Sequence, residues 1–397
     1  MTPPLSGIKV IEFGNLVAAP YCGMLLADLG ADVVKVEPMS GDLAREIGPF
    51  YDLESAFFIS VNRGKRSLAI DAKAKGNAAL LRRICLEADV VLNNLRKGAM
   101  DRMGLGYEAL QDEGRHLVYA SITAFGSTGP QADRPGIDLI FQGESGMMSL
   151  AGSPGDPPQK TATTIADFVA GTNAAFAIAA AMVGGGGRRG GIGRLLEIAL
   201  RDGLVAVQAG WNAQFFANGS QPERTGTASP VTAPNQTFHT SDGYVNVAVV
   251  SNRHFFDCCQ ALGLGDAAVD SRFASNQLRV ENRIPLTELL QAKFEREPTG
   301  HWLDALGRAG IPVGRILELE EVFSDPQAIH NEMVVTINHP QAGTIQTQGS
   351  PIRVEGAAAR SDKLAPTLGQ HSRAILSELG MGNDEIDKLV ATGAVLA

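Results

Sequence analysis

Residues 8–13 (IKVIEF) form a short β-branched run of strand length. Pro20 then opens the apolar stretch PYCGMLLADLG, which stops at Gly30. Proline at the start and glycine past the end mark a helix. Residues 31–37 (ADVVKVE) read as a second strand, 75–87 as a helix, 89–92 as a third strand and 116–122 as a fourth. Strands alternating with helices predict right-handed crossovers and a parallel sheet covered on both faces. The expected fold class is α/β, with a doubly wound, Rossmann-like domain.

From 138 to about 217 the pattern becomes mainly helical, broken by the glycine tract GGGGRRGGIG at 184–193. The stretch 221–235 is rich in Pro, Thr, Ser and Gly and has little periodicity. TFHTSDGYVNVAVV then reads as a β-hairpin with Asp242-Gly243 as its turn. Helical patterns at 253–262 and 284–294 complete a small α+β domain over 225–325. The tail, from about 333, carries the strand-like VVTINH and a final helix at 374–379. No internal repeat is present, which excludes a solenoid.

The 397 residues exceed one ordinary core and suit two packed domains. Forty-four per cent hydrophobic and 19% charged residues describe a soluble globular chain. A net charge of −9 argues against a general nucleic-acid binder, although a local basic cluster can still hold phosphates. Cys22, Cys85, Cys258 and Cys259 make neither a metal pattern nor a disulfide scaffold. None of the seven histidines stands at a close ligand spacing such as H-x-x-x-H, so no metal is expected. The start, MTPPLSGIKVIEF, lacks the features of a signal peptide. Residues 165–183 are apolar but contain Asp167, Thr172 and Asn173, which favours a buried helix over a membrane span. A cytoplasmic location is the resulting expectation.

The glycine tract lacks the Lys-Ser or Lys-Thr of a phosphate loop and reads as a flexible connection. The first βα turn, GNLVAAP, lacks G-x-G-x-x-G, which lowers the odds of a dinucleotide site. There is no G-x-S-x-G elbow either. Arg63, Lys65, Arg66, Lys73, Arg96, Lys97 and Arg102 gather in the first domain, either as solvated charges or as a pyrophosphate-binding set near the strand ends. Asp167 opens the Ala-rich helix; it is either an N-cap or a carboxylate nucleophile kept ionised by the helix start. Composition leaves both pairs of readings open.

In order along the chain stand LSGIKVIEF, AAPYCGMLLADLGADVVKVEP, SVNRGKRSLAIDAK, ADVVLNNLRKGAMDRMGLGYEAL, LVYASITAFGSTGPQADRPGIDLIFQGESGMMSLAG and IADFVAGTNAAFAIAAAM. This set resembles the class III coenzyme A transferases, the CaiB/BaiF-type family of formyl-CoA transferase. The resemblance implies that Asp167 is the nucleophile and that Ile70, Lys73, Asn94, Leu95, Arg96, Arg102 and Met103 contact coenzyme A. It implies acyl-CoA and a carboxylic acid as substrates, passing through aspartyl anhydrides and an aspartyl-CoA thioester. It also implies a discontinuous large domain, 1–220 with 330–397, and an interlocked homodimer.

Some positions depart from the family pattern. Where the family's racemases carry a His before the Asp of a GHD motif, this chain has Gly136-Ile137-Asp138. Isoleucine transfers no proton, which disfavours racemisation. Val17 stands at a glutamine position of formyl-CoA transferase, and no GGGG loop occurs at 220–260, so formyl or oxalate specificity is not expected. Arg45 and Arg224 are candidates to hold a second carboxylate, although lone arginines are more often surface residues. The functional expectation is CoA transfer to an organic acid, with dicarboxylic acids among the candidate acceptors. The alternatives are a racemase or isomerase of the same fold and a non-catalytic CoA-binding protein.

Overall fold

The computed structural model describes residues 2–111, 116–187 and 191–397. Two compact units emerge: 1–147 with 160–213 and 325–397, and 148–159 with 214–324.

The larger unit is built on a seven-stranded sheet. Its parallel strands are β1 Lys9–Phe13, β2 Asp32–Glu37, β3 Arg66–Ile70, β4 Val90–Asn93, β5 Val118–Thr123 and β6 Arg194–Ala199. Their spatial order is 3-2-1-4-5-6, the dinucleotide-fold order, whose direction of winding reverses between β1 and β4. The helices that matter here are α1 Ala18–Asp28, α2 Ala56–Asn62, α3 Asn77–Leu86, α4 Asp138–Glu144, α5 Ile165–Val183 and α6 Leu200–Val207.

Alternation along the central strands feeds two cores. Val10, Val33, Val90 and Val118 face α1, α5 and α6; Ile11, Val34, Val91 and Tyr119 face α3 and the C-terminal helices. This two-sided burial is why the strands read as near-continuous apolar runs.

Several elements differ from the sequence expectation. α1 starts at Ala18, two residues before Pro20, because a proline in the first turn removes only an N–H that has no intrahelical partner. β3 and β6 were expected as loop and helix. β3 opens on a polar residue, Arg66, while β6 (RLLEIA) has helix-like residues that its ladder to β5 overrides. The helix expected at 374–379 is Ser372–Glu378 but is not the last; Asn383–Ala391 follows, and Val395–Leu396 then pairs antiparallel with β3. The glycine tract lies partly outside the described residues.

Helix α5 has 19 residues and is apolar and long enough to cross a membrane by length and composition alone. Only one stripe of it is buried: Ala166, Ala170, Gly171, Ala174 and Ile178, at helical spacing. The helix expected to be buried is therefore covered along one side, with Phe176 and Val183 exposed.

The smaller unit has its own core. Asn235–His239 and Tyr244–Ala248 form the expected hairpin, with Val313–Arg315 as a third strand. Phe238 stacks on Phe294, which meets Trp302 edge-on. An open groove of about 740 Å3 runs along this sheet, lined by Thr237, Asn246 and Val313 among others; it contains no residue expected at the site.

Candidate active site

Doubly wound sheets bind ligands at the carboxyl ends of their strands where the winding reverses. Here that point lies between β1 and β4, and the connections leaving both strands are tied together. The Asn94 side chain accepts from the Asn15 amide and donates to the Asn15 carbonyl, both at 2.9 Å. β1 continues through residues 14–17 into α1, so the first turn of α1 sits at this edge.

Helix α5 crosses α1 closely. A Cβ at Gly171 would come within 2.6 Å of the Ala18 carbonyl, so only glycine permits the approach. Tyr21 meets Phe168 edge-on at 4.9 Å between ring centres. Asp167 lies one turn before Gly171 on the same helical face, which brings it to the carboxyl edge of the sheet.

Asp167 is not the cap of α5. The helix starts at Ile165, and Thr164 in the cap position makes no side-chain cap. The capping role is filled from α4: Asp138 accepts from the Ala166 amide at 2.9 Å and from the Gln142 side chain at 2.6 Å. Gln142 in turn accepts from the Thr161 amide at 2.8 Å. With Asp138 satisfying the helix start, the Asp167 carboxylate is left for other work.

The charge state of Asp167 corrects the sequence expectation. Burial pushes its carboxyl up to about 7, the Asp138 carboxylate adds to the rise, and its own backbone amide offsets only part of it. The helix start therefore does not keep this group as a strong acid; desolvation wins. A carboxylate of this kind is a better nucleophile than an ordinary one, and it is largely ionised above neutral pH.

A family model described as CoA-transferase family III matches residues 5–372. The chain belongs to CoA-transferase family III. It is 37% identical to a succinate–glutarate CoA-transferase of Agrobacterium fabrum over 95% of this chain and 96% of that protein. It is 36% identical to the mouse succinyl-CoA:glutarate CoA-transferase, over 99% of this chain and 90% of that one. A crystal structure of a CaiB/BaiF family protein from Brucella suis superposes with a TM-score of 0.83 at 38% identity, covering 96% of this chain and all of that one. The protein is a class III CoA-transferase, with the large parallel-sheet domain of that class.

With the family established, six of the seven basic side chains separate into two groups, and Lys97 pairs with Asp133 at 3.4 Å. Arg63 forks onto Asp28, Arg66 pairs with Asp32 and Glu378, and Lys65 is buried against Glu12. These three are structural. Lys73, Arg96 and Arg102 are exposed and form no ion pair among the described residues. They follow β3 and β4, at the carboxyl ends of the sheet, together with Leu95 and the half-buried Met103. Ile70 is buried as the last residue of β3. Asn94 is committed to the backbone of Asn15.

The two arginines offered as candidates to hold a second carboxylate have partners within the chain. Arg45 forks onto Glu37 with two bonds of 2.8 Å and stacks over Phe58 at 3.7 Å. Arg224 donates to the carbonyls of Ser149 and Asp156. Ile137, at the racemase acid/base position, is exposed and carries no proton to transfer.

Sequence reasoning missed Glu12, Lys35 and Asp42. Glu12 binds Lys35 at 3.0 Å and Lys65 at 2.8 Å, and Lys35 binds Asp42 at 2.7 Å, all with buried side chains. The available signal was a charged residue inside each of two apolar central strands, IKVIEF and DVVKVE. A charge buried on a parallel strand requires a partner. Burial works against the Lys35 charge, but Glu12, Asp42 and Glu37 together outweigh it and hold its pKa above the ordinary lysine value. For Lys65 burial prevails over Glu12, bringing it down to about 8.

Proposed function

We propose that this chain transfers coenzyme A from succinyl-CoA or a similar small acyl-CoA to a dicarboxylic acid, with Asp167 as the covalent nucleophile. One observation carries the reading: Asp167 is a desolvated carboxylate with a raised pKa, on α5 at the carboxyl edge of the sheet. The relatives named for succinate and glutarate support the choice of substrates.

In the chemistry, an Asp167 oxygen attacks the donor thioester carbonyl. The C–S bond breaks, leaving a mixed anhydride and CoA thiolate. The thiolate attacks the Asp167 carbonyl, the anhydride C–O bond breaks, and the donor leaves as a carboxylate. A β-aspartyl-CoA thioester remains. The acceptor carboxylate attacks this thioester and expels thiolate, which then attacks the acceptor carbonyl of the new anhydride. Asp167 is regenerated and no net proton moves. Lys73, Arg96 and Arg102 hold the phosphates of coenzyme A, while Leu95 and Met103 line its path and Ile70 and Asn94 support that surface from behind.

The active protein is a homodimer of interlocked chains in this reading. The uncovered side of α5, with Phe176 and Val183, and the edge strand β6, with Leu195 exposed, are the surfaces a second copy would bury. Light scattering giving the mass of two chains supports this; a monomer at micromolar concentration contradicts it. For the activity, succinyl-CoA and glutarate should yield glutaryl-CoA and free succinate in equal amounts by liquid chromatography. Hydrolysis of succinyl-CoA without glutaryl-CoA, across a panel of dicarboxylic acceptors, would sink the reading.

A further inference from the structure

The connection from β1 to α1 is held by side chains that the transfer chemistry does not use. Lys35 Nζ donates to the Gly14 carbonyl at 2.9 Å. Asn94 takes both polar groups of the Asn15 backbone. Asp42 Oδ1 accepts from the Leu16 amide at 2.9 Å and from Ala44 at 2.8 Å, while its Oδ2 lies 2.7 Å from Lys35 Nζ. Beyond the turn, Lys65 Nζ donates to the Pro20 carbonyl at 2.7 Å. Leu16 itself has φ +62°, a left-handed conformation that a leucine adopts only when its surroundings impose it. The residues that follow form the turn of α1 against which Gly171 and Phe168 of α5 pack.

We propose that Asp42 and Lys35 are positioning residues for acyl transfer: they touch no substrate but hold the β1–α1 connection, and with it the first turn of α1, in one place against the Asp167 turn of α5. Lys35 lies within β2 and Asp42 five residues past its end, so the ion pair ties the backbone leaving β1 to the neighbouring strand and to the loop that follows it. A misplacement of about 1 Å between reacting groups can cost on the order of 100-fold in rate. Freed from Asp42, Leu16 would relax to negative φ and carry the start of α1 with it.

This proposal rests on the CoA-transfer reading, and its test separates the two. Hydrogen exchange at the Leu16 amide and steady-state transfer are measured in the full-length protein for wild type, Asp42→Ala and Asp42→Asn. Asp42→Ala should speed exchange at Leu16 by about tenfold or more. It should lower kcat by roughly 10- to 100-fold while the KM for acyl-CoA changes less than about threefold. Asp42→Asn keeps an acceptor for the Leu16 amide, so both effects should be smaller; it also serves if Asp42→Ala does not fold. Unchanged exchange at Leu16 in these variants overturns the proposal, as does faster exchange with unaltered kcat or a loss carried by KM alone. A wild-type chain that transfers no CoA overturns the functional reading instead, while the exchange at Leu16 still reports on the clamp.

Discussion

Two sets of charged side chains in the large unit have opposite uses. Glu12, Lys35, Asp42 and Lys65 are buried, and each pairs with another member. Lys73, Arg96 and Arg102 are exposed and form no ion pair among the described residues. In sequence they differ in place: Glu12 and Lys35 sit inside apolar strands, whereas Lys73, Arg96 and Arg102 follow strand ends. The difference lies in what each has already given up: the buried set has left water and must stay paired, whereas the exposed set keeps its hydration until an anion arrives. The first therefore shapes the protein and the second is available to a ligand.

The contrast is broken most severely at Lys65. Lys65→Met leaves Glu12 with Lys35 alone and strips the Pro20 carbonyl of its donor. Removing one partner of a buried pair should cost about 3–5 kcal/mol, seen in urea unfolding. If stability changes by less than about 1 kcal/mol, the buried set is not what holds this edge together.

Asp167 should show the reverse sign, because it is half-buried and desolvated with no cationic partner among the described residues. Its folded pKa is raised above the unfolded value, so its contribution to stability is present in acid and lost as pH rises from about 4 through about 7. Asp167→Asn removes this penalty. The variant should be more stable than wild type by on the order of 2 kcal/mol near pH 8, with the gain fading towards pH 4, while transfer is lost. In the wild type, kcat should rise with pH through about 7 as the nucleophile ionises. A variant less stable than wild type near pH 8 would contradict the environment described for Asp167.

The exposed set gives the smallest effects. Arg96→Ala and Arg102→Ala should each raise the KM for acyl-CoA by roughly 3- to 10-fold, with kcat and the unfolding midpoint nearly unchanged. Raising salt from about 0.05 to about 0.5 M should raise the wild-type KM, and less so in the double variant. A fall in stability for either arginine would place it with the buried set.

How much of this was legible in the sequence follows the same division. The strands at 9–13, 32–37, 90–93 and 118–123 announced themselves, because residues buried on both faces leave an apolar run. β3 did not, since it opens on Arg66, whose polarity is spent on Asp32 and Glu378 from other elements. β6 did not, since its Leu, Glu and Ala suit a helix until β5 pairs with it. At the site, Asp167 was legible as a position through the resemblance, but its charge state was not. A local reading sees a helix start, which lowers a carboxyl pKa, and cannot see Asp138 arriving from α4 to cap that helix and repel the charge. The pairing of Arg45 was not legible either: its partner Glu37 lies eight residues away, and folding brings the fork together.

The central claim is that Asp167 carries coenzyme A covalently during turnover. It is tested most directly by incubating the protein with succinyl-CoA, trapping with hydroxylamine or borohydride, and mapping the modified peptide by mass spectrometry. The account predicts modification at Asp167, absent in Asp167→Ala and discharged by prior addition of a dicarboxylic acceptor. An active enzyme that shows no adduct at Asp167, or one trapped on another side chain, would contradict it.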